Sequence, residues 1–211
     1  MAVFITSDLH FGHDKAFLYA PRGFSTITEH DTTVISNWNS VVVPEDIVYV
    51  LGDVCLNDIE NGMRCLSALN GEIKIVRGNH DTDNRWALYS TLPNVSTIGW
   101  AEMIKHRKGR VYLAHFKSIT SNFDDGRGPK ERVWTLCGHS HTSNKWADIE
   151  LGCIYHCELD AHNNYPVNIE TIIEDIKTYW AQKENQECEI SWFFDLFFGK
   201  NLTFDIFYAI I

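Results

Sequence analysis

The residues that could do chemistry in this chain fall in five short blocks. Asp8 and His10 close Ser7-Asp8-Leu9-His10, Asp53 follows Gly52, and Asn79 and His80 lie in Arg77-Gly78-Asn79-His80-Asp81. His115 follows Ala114, and His139 and His141 lie in Gly138-His139-Ser140-His141. Asp8, His10, Asp53, Asn79, His115, His139 and His141 offer four imidazoles, two carboxylates and one amide oxygen, with no thiolate. Such nitrogen and oxygen donors suit Mn²⁺ first, with Fe, Ni or Zn as alternatives, whereas Mg²⁺ and Ca²⁺ sites are mostly oxygen. Seven ligands exceed one tetrahedral site, and two ions about 3.5–4 Å apart that share a carboxylate would use them. Each block alone is a common turn or surface fragment. Their ordered combination points to a two-metal site.

The blocks need elements to present them. Ala2–Thr6, Ile47–Leu51, Ile73–Val76, Val111–Ala114 and Val133–Cys137 are short apolar runs rich in β-branched residues, and each ends in one of the blocks. Length and composition predict buried strands. Residues two apart at a strand end share a face, which would bring Asp8 with His10, and His139 with His141, to one ion. Helical periodicity predicts helices over 29–41, 57–69 (with Asn57 as a cap), about 83–92 and 169–183. Strands alternating with helices predict an α/β layered core, where ligands collect at the carboxyl ends of the strands.

The chain has 211 residues and a net charge of −10. That length favours one main domain, and an apolar share of 45% excludes intrinsic disorder. The acidic balance argues against broad capture of long nucleic acids or anionic membranes, but bound metal ions could still receive an anionic substrate. No window holds the roughly 18 apolar residues of a membrane span. The opening MAVFITSDLH lacks a basic leader, so a cytoplasmic location and reduced, structural cysteines are expected.

With these blocks in this order, residues 3–170 resemble the calcineurin-like metallophosphoesterases, in particular small bacterial and phage members whose first block reads D-L-H-F-G-H. The resemblance implies a four-layer α/β/β/α sandwich. It implies that Asp8, His10 and His141 hold one metal, that Asn79, His115 and His139 hold the other, and that Asp53 bridges them. His80 would act on the leaving group and Asp81 would orient it. The implied activity is phosphoester hydrolysis by a metal-activated hydroxide. Gly52-Asp53-Val54-Cys55-Leu56-Asn57-Asp58 lacks the arginine that phosphoprotein phosphatases carry after their G-D block, and G-N-H-D replaces their G-N-H-E. A phosphodiesterase or nucleotide phosphohydrolase is therefore favoured, with a phosphoprotein phosphatase as the alternative and an inactive binding scaffold behind it.

Other features are open. His13 is either a substrate-phosphate contact or a loop histidine, and Arg77 is either a phosphate ligand or directed away by its strand. The basic run 105–110 reads as a solvated hairpin turn, and the loop 117–132 as a specificity lid. Residues 1–185 read as the catalytic domain. The aromatic-rich extension 186–211 reads as a hairpin, or a short helix and a strand, that either packs against the domain or forms a homodimer or membrane-surface contact.

Overall fold

The elements follow the short β-branched runs and the amphipathic segments between them. A computed structural model describes the backbone of residues 1–107, 109–120 and 133–198, and the side chains of these through 185 apart from 150 and 184. In chain order they are β1 (Val3–Thr6), α1 (Ala16–Tyr19), α2 (Ile27–Val41), β2 (Ile47–Val50), α3 (Ile59–Ser67), β3 (Glu72–Val76) and α4 (Asp83–Tyr89). There follow β4 (Val95–Gly99), β5 (Ala101–His106), β6 (Gly109–Ala114), β7 (Trp134–Cys137), β8 (Ile154–His156), β9 (Val167–Asn168) and α5 (Ile169–Phe198).

The strands form the two sheets of the expected α/β architecture. One has the order β4-β3-β2-β1-β9, parallel except for β9, and the other has the order β5-β6-β7-β8. In the second sheet β5 and β6 are antiparallel, and β6, β7 and β8 run parallel. Alternate residues of the first sheet (Phe4, Val48, Val50, Ile73 and Ile75) share one buried cluster with Val34 and Trp38 of α2, Cys65 and Leu66 of α3, and Tyr89 of α4. Burying each large apolar side chain contributes about 1.5–3 kcal/mol before entropy is subtracted. The Trp38 indole also donates to the Asn70 carbonyl at 2.9 Å, which satisfies its one polar group inside the core.

Three local expectations change. Asp58, not Asn57, caps α3, its side chain accepting from the Asn61 N–H. β4 and β5 carry Ser96, Glu102 and Lys105 among half-buried positions, so no continuous apolar run marked them as strands. The helix expected over 169–183 continues to Phe198 as α5, where a hairpin or separate short helix was expected from 186. Residues 169–198 contain no Gly or Pro to end a helix, and Gly199 is the first. The proposed strand near the C-terminus lies outside the described residues, as do 121–132 of the proposed lid. Met1–Thr171 and Ile172–Ile211 form separate compact units. Among the described residues, no helix is long and apolar enough to cross a membrane.

The basic run forms the end of the β5–β6 hairpin, where Lys105 pairs with Arg110 and His106 with Gly109. Cys55, Cys65, Cys137, Cys153 and Cys157 are all buried.

A charged cluster lies within the unit Met1–Thr171. The His156 ring is fully buried, with Nε2 2.8 Å from Asp148 Oδ2 and Nδ1 2.9 Å from Glu158 Oε1. Cys137 Sγ is 3.8 Å from Nδ1, and Lys117 Nζ donates to both Asp148 oxygens. Burial opposes charge on His156, but Glu158 and Asp148 outweigh it and raise its pKa above the ordinary 6.5. Its contribution to stability is therefore fully present below about pH 6.5 and lost as pH climbs through the raised value. Asp148, which burial would raise, is held below the ordinary carboxylate range by Lys117 and His156. Its contribution is present above the ordinary value near 3.8 and lost in acid. The melting-temperature deficit of His156→Gln is expected to narrow between pH 6 and pH 9, at about 2–4 °C per kcal/mol. A deficit constant with pH would show that His156 packs without carrying charge.

Candidate active site

The candidate ligands converge just past the ends of β1, β2, β3, β6 and β7. They are not held by strand pleating as expected. Asp8, His10, Asp53, His139 and His141 have φ of 59°, 50°, 55°, 74° and 49°, the left-handed region, which costs a non-glycine residue about 1–3 kcal/mol. The strain is maintained by hydrogen bonds between neighbouring loops. Asp8 N–H donates to the Gly52 carbonyl at 3.1 Å, His10 N–H to Asp53 at 3.0 Å and Phe11 N–H to Val54 at 2.9 Å. These bonds carry the β1–β2 pairing beyond the strands and hold two blocks side by side.

Two glycines let the loops close. A Cβ on Gly52, itself at φ 90°, would lie 2.6 Å from Gly78 Cα and 2.7 Å from His115 Nδ1. A Cβ on Gly138 would overlap Ser7 Oγ and Asp8 Oδ2. Only a bare backbone allows these approaches.

One group of ligand atoms consists of Asp8, His10 and His141. Asp8 Oδ1 is 3.7 Å from His10 Nε2 and 3.6 Å from His141 Nε2. Asp8 Oδ2 accepts from Ser7 Oγ and from the His139 N–H at 2.8 Å. Oδ1 and both ring nitrogens of His10 are buried without a hydrogen-bond partner. The second group centres on His115. Its Nδ1 donates to the Leu51 carbonyl at 2.8 Å, which leaves Nε2 as the lone-pair nitrogen of the neutral ring. That Nε2 faces Asn79 Oδ1 at 2.8 Å, His139 Nδ1 at 3.2 Å and Asp53 Oδ2 at 3.5 Å. Asp53 Oδ2 is also 3.7 Å from His10 Nε2, so it lies between the groups. Converging lone pairs and orphaned buried acceptors fit divalent cations, because unpaired polar atoms are otherwise costly to bury. Asp8, His10 and His141 form one candidate metal cluster, and Asp8, Asp53 and His115 form another.

The charge states of Asp8, His10 and His139 suit this use, whereas His141, which burial would lower, is raised by Asp160 and Asp8 and would release a proton on binding an ion. Burial alone would raise the Asp8 carboxyl, but His10, His115 and His141 hold it well below the ordinary range. Burial pushes His10 down to about 4 against the pull of Asp8, and it also lowers His139. Neutral imidazoles are the ligating form. Burial raises Asp53, against the pull of His115.

The remaining expected residues divide. His80 is half exposed beside the cluster, its N–H donating to Asp53 Oδ1 at 2.8 Å and its Nε2 3.9 Å from Asp53 Oδ2. Asp81 does not reach the His80 ring as implied. Its carboxylate accepts from the N–H groups of Asp53, Val54 and Gly78 and from Tyr89 OH, which fastens the Asp53 loop to the Asn79 loop. His13 is buried with its ring 5.3 Å from that of His10. Arg77 is turned elsewhere: it donates to the Asp81 carbonyl and the Asp83 carboxylate and lies over the rings of Trp86 and Trp100. Phe116, partly exposed, packs edge-on against His115 and His139. Arg22 and Asp160 also touch His141, and no motif announced them, since they are distant in sequence from it and from each other.

Residues 1–154 match the calcineurin-like phosphoesterase superfamily domain. The chain is 34% identical over 144 residues to an uncharacterized protein of Methanocaldococcus jannaschii, covering 67% of this chain and 70% of that one. It is 33% identical over 160 residues to the gene 66 protein of Mycobacterium phage L5, covering 65% and 76%. Its fold is similar to that of a protein of unknown function from Aquifex aeolicus, with 24% identity, a TM-score of 0.58, and coverage of 82% of this chain and 98% of that one. The chain belongs to the calcineurin-like phosphoesterase superfamily and is a metal-dependent phosphoester hydrolase.

Proposed function

We propose that this chain hydrolyses phosphodiesters or nucleotides with two divalent transition-metal ions. Asp8, His10 and His141 would hold one ion, Asn79, His115 and His139 the other, and Asp53 both. The observation that carries this reading is the position of Asp53 Oδ2, 3.7 Å from His10 Nε2 in one group and 3.5 Å from His115 Nε2 in the other. Bound there, the ions would make hydroxide available near neutral pH and offset charge on the phosphoryl oxygens.

The chain's own residues do the rest. Asp81 holds the Asp53 backbone, and Asp53 Oδ1 in turn holds the His80 backbone. His80 Nε2, at the open side of the cluster, donates a proton to the departing alkoxide. His13, its ring 5.3 Å from that of His10, would contact the substrate phosphate. Arg77, committed to Asp83 and two indoles, is assigned no role in substrate binding.

A small diester or nucleotide is favoured over a phosphoprotein because the residues after Asp53 supply no cation. Val54 and Cys55 are fully buried in the core instead. Mn²⁺ is the preferred ion because the donors are imidazole, carboxylate and amide. Residues 186–211 are assigned no chemistry in this reading.

Metal-stripped protein is expected to be inactive and to recover with Mn²⁺, and more weakly with Mg²⁺. A panel of bis-nitrophenyl phosphate, nitrophenyl phosphate and nucleotides separates diesterase from monoesterase activity. Metal analysis of the active protein should give two ions per chain, and one or fewer would sink the dinuclear reading. Exclusive activity on phosphoproteins would favour the alternative.

A further inference from the structure

We propose that Asp160 is a positioning residue that fixes the tautomer of His141 and so makes its Nε2 a ligand, with Arg22 fixing Asp160. The inference rests on His141 being a metal ligand.

The argument is a count of hydrogens. The Arg22 side chain is fully buried. Its Nε donates to Asp160 Oδ1 at 3.1 Å, and its Nη2 donates to Asp160 Oδ2 at 2.7 Å and to the Asp8 carbonyl at 2.8 Å. Its Nη1 is 3.0 Å from His30 Nε2, while His30 Nδ1 is 2.8 Å from Asp31 Oδ1. His30 therefore donates through Nδ1 and accepts from Arg22 through Nε2. Each terminal guanidinium nitrogen carries two hydrogens, so both on Nη2 are committed.

His141 Nδ1 lies 3.3 Å from Arg22 Nη2 and 3.3 Å from Asp160 Oδ2. Nη2 has no hydrogen left to give, and Asp160 Oδ2 has only lone pairs. His141 Nδ1 must therefore carry the hydrogen and donate it to Asp160. In the neutral ring this leaves the lone pair on Nε2, the atom that faces Asp8 Oδ1 at 3.6 Å. A carboxylate behind a ligating imidazole sets its orientation and raises its basicity.

Arg22 does a second job in the same place. By binding the Asp8 carbonyl it braces the left-handed backbone that presents the Asp8 side chain. One buried cation thus ties two ligands of the same group together. Asp160 lies beyond the family-matched residues 1–154, in the turn Leu159–Ala161. That turn is fastened to the β1 end by Leu159 N–H donating to the Ser7 carbonyl at 3.3 Å.

Asp160→Asn keeps the shape but offers one acceptor oxygen where the carboxylate offers two, and both are in use. Removing that acceptor frees an Arg22 hydrogen to turn toward Nδ1 and drive the ring hydrogen onto Nε2. The test uses the full-length chain stripped of metal, titrated with Mn²⁺ and followed by the spin-resonance signal of the free ion. Wild type is expected to bind two ions. Folded Asp160→Asn should bind one as before and the other about 10–100-fold more weakly. In metal-free protein, at a pH high enough for the ring to be neutral, ¹⁵N spectra of the imidazoles should show His141 as the Nδ1–H form in wild type and shifted toward Nε2–H in the variant. Folded Asp160→Asn that binds both ions like wild type would overturn the proposal, and so would a wild-type His141 carrying its hydrogen on Nε2. The wild-type spectrum decides the matter even if the variant does not fold. Wild type that binds a single Mn²⁺ would instead overturn the dinuclear reading, while the tautomer would still test Asp160.

Discussion

Asp53→Asn is expected to lower activity more than any other single ligand substitution. The proposed seven ligands include only two anionic side chains, Asp8 and Asp53, facing two divalent ions. Asp8 belongs to both candidate clusters but is assigned to one ion, whereas Asp53, assigned to both, has Oδ2 3.7 Å from His10 Nε2 and 3.5 Å from His115 Nε2. An amide there removes one of two negative charges from a buried site, where charge is weakly screened, and weakens both ions at once. The loss should exceed the roughly 10²-fold that marks the upper end for residues that only orient a ligand. The loop itself should survive the change. Asp81 binds the Asp53 N–H at 2.8 Å, and an Asn oxygen can still accept from the His80 N–H. The measurement is kcat/KM with bound metal counted in the same samples. Activity and metal content close to wild type in Asp53→Asn would remove Asp53 from the bridge.

The sequence revealed which residues meet more clearly than how they are held. Buried parallel strands need continuous apolar runs, so β1, β2, β3, β6 and β7 were legible, and with them the positions of all seven candidate ligands. β4 and β5 are half exposed, and β8 and β9 have three and two residues, so no periodicity could mark them. The left-handed backbone of Asp8, His10, Asp53, His139 and His141 was hidden for a different reason. It is maintained by hydrogen bonds between loops distant in sequence, and the enrichment of Asp and His at positive φ is too small to mark it in a sequence. Asp81 shows the same limit. The family resemblance implied an imidazole partner for it, but Tyr89 and three backbone amides claim its carboxylate. Arg22 and Asp160 are joined only by the fold.

His80→Ala is expected to keep both ions and lose about 10²–10⁴-fold in rate on substrates with a poor leaving group. His80 is not among the atoms that converge around His115 Nε2 or Asp8 Oδ1, and its structural bond to Asp53 Oδ1 comes from its backbone N–H, which alanine retains. The substitution therefore removes an imidazole and little else. That ring is half exposed and 3.9 Å from Asp53 Oδ2, and the proposed mechanism sets the leaving oxygen beside it. An alkoxide leaves poorly without a proton, so its expulsion depends on a donor. Nitrophenolate is stable as the anion and needs little help, so the penalty should shrink toward unity with nitrophenyl esters. Rates on matched alkyl and nitrophenyl diesters, with metal content measured beside them, separate the possible roles. Equal losses on both substrates would mean that His80 positions substrate. A penalty dependent on the leaving group in His13→Ala, with none in His80→Ala, would assign the proton to His13, whose buried ring lies beside His10.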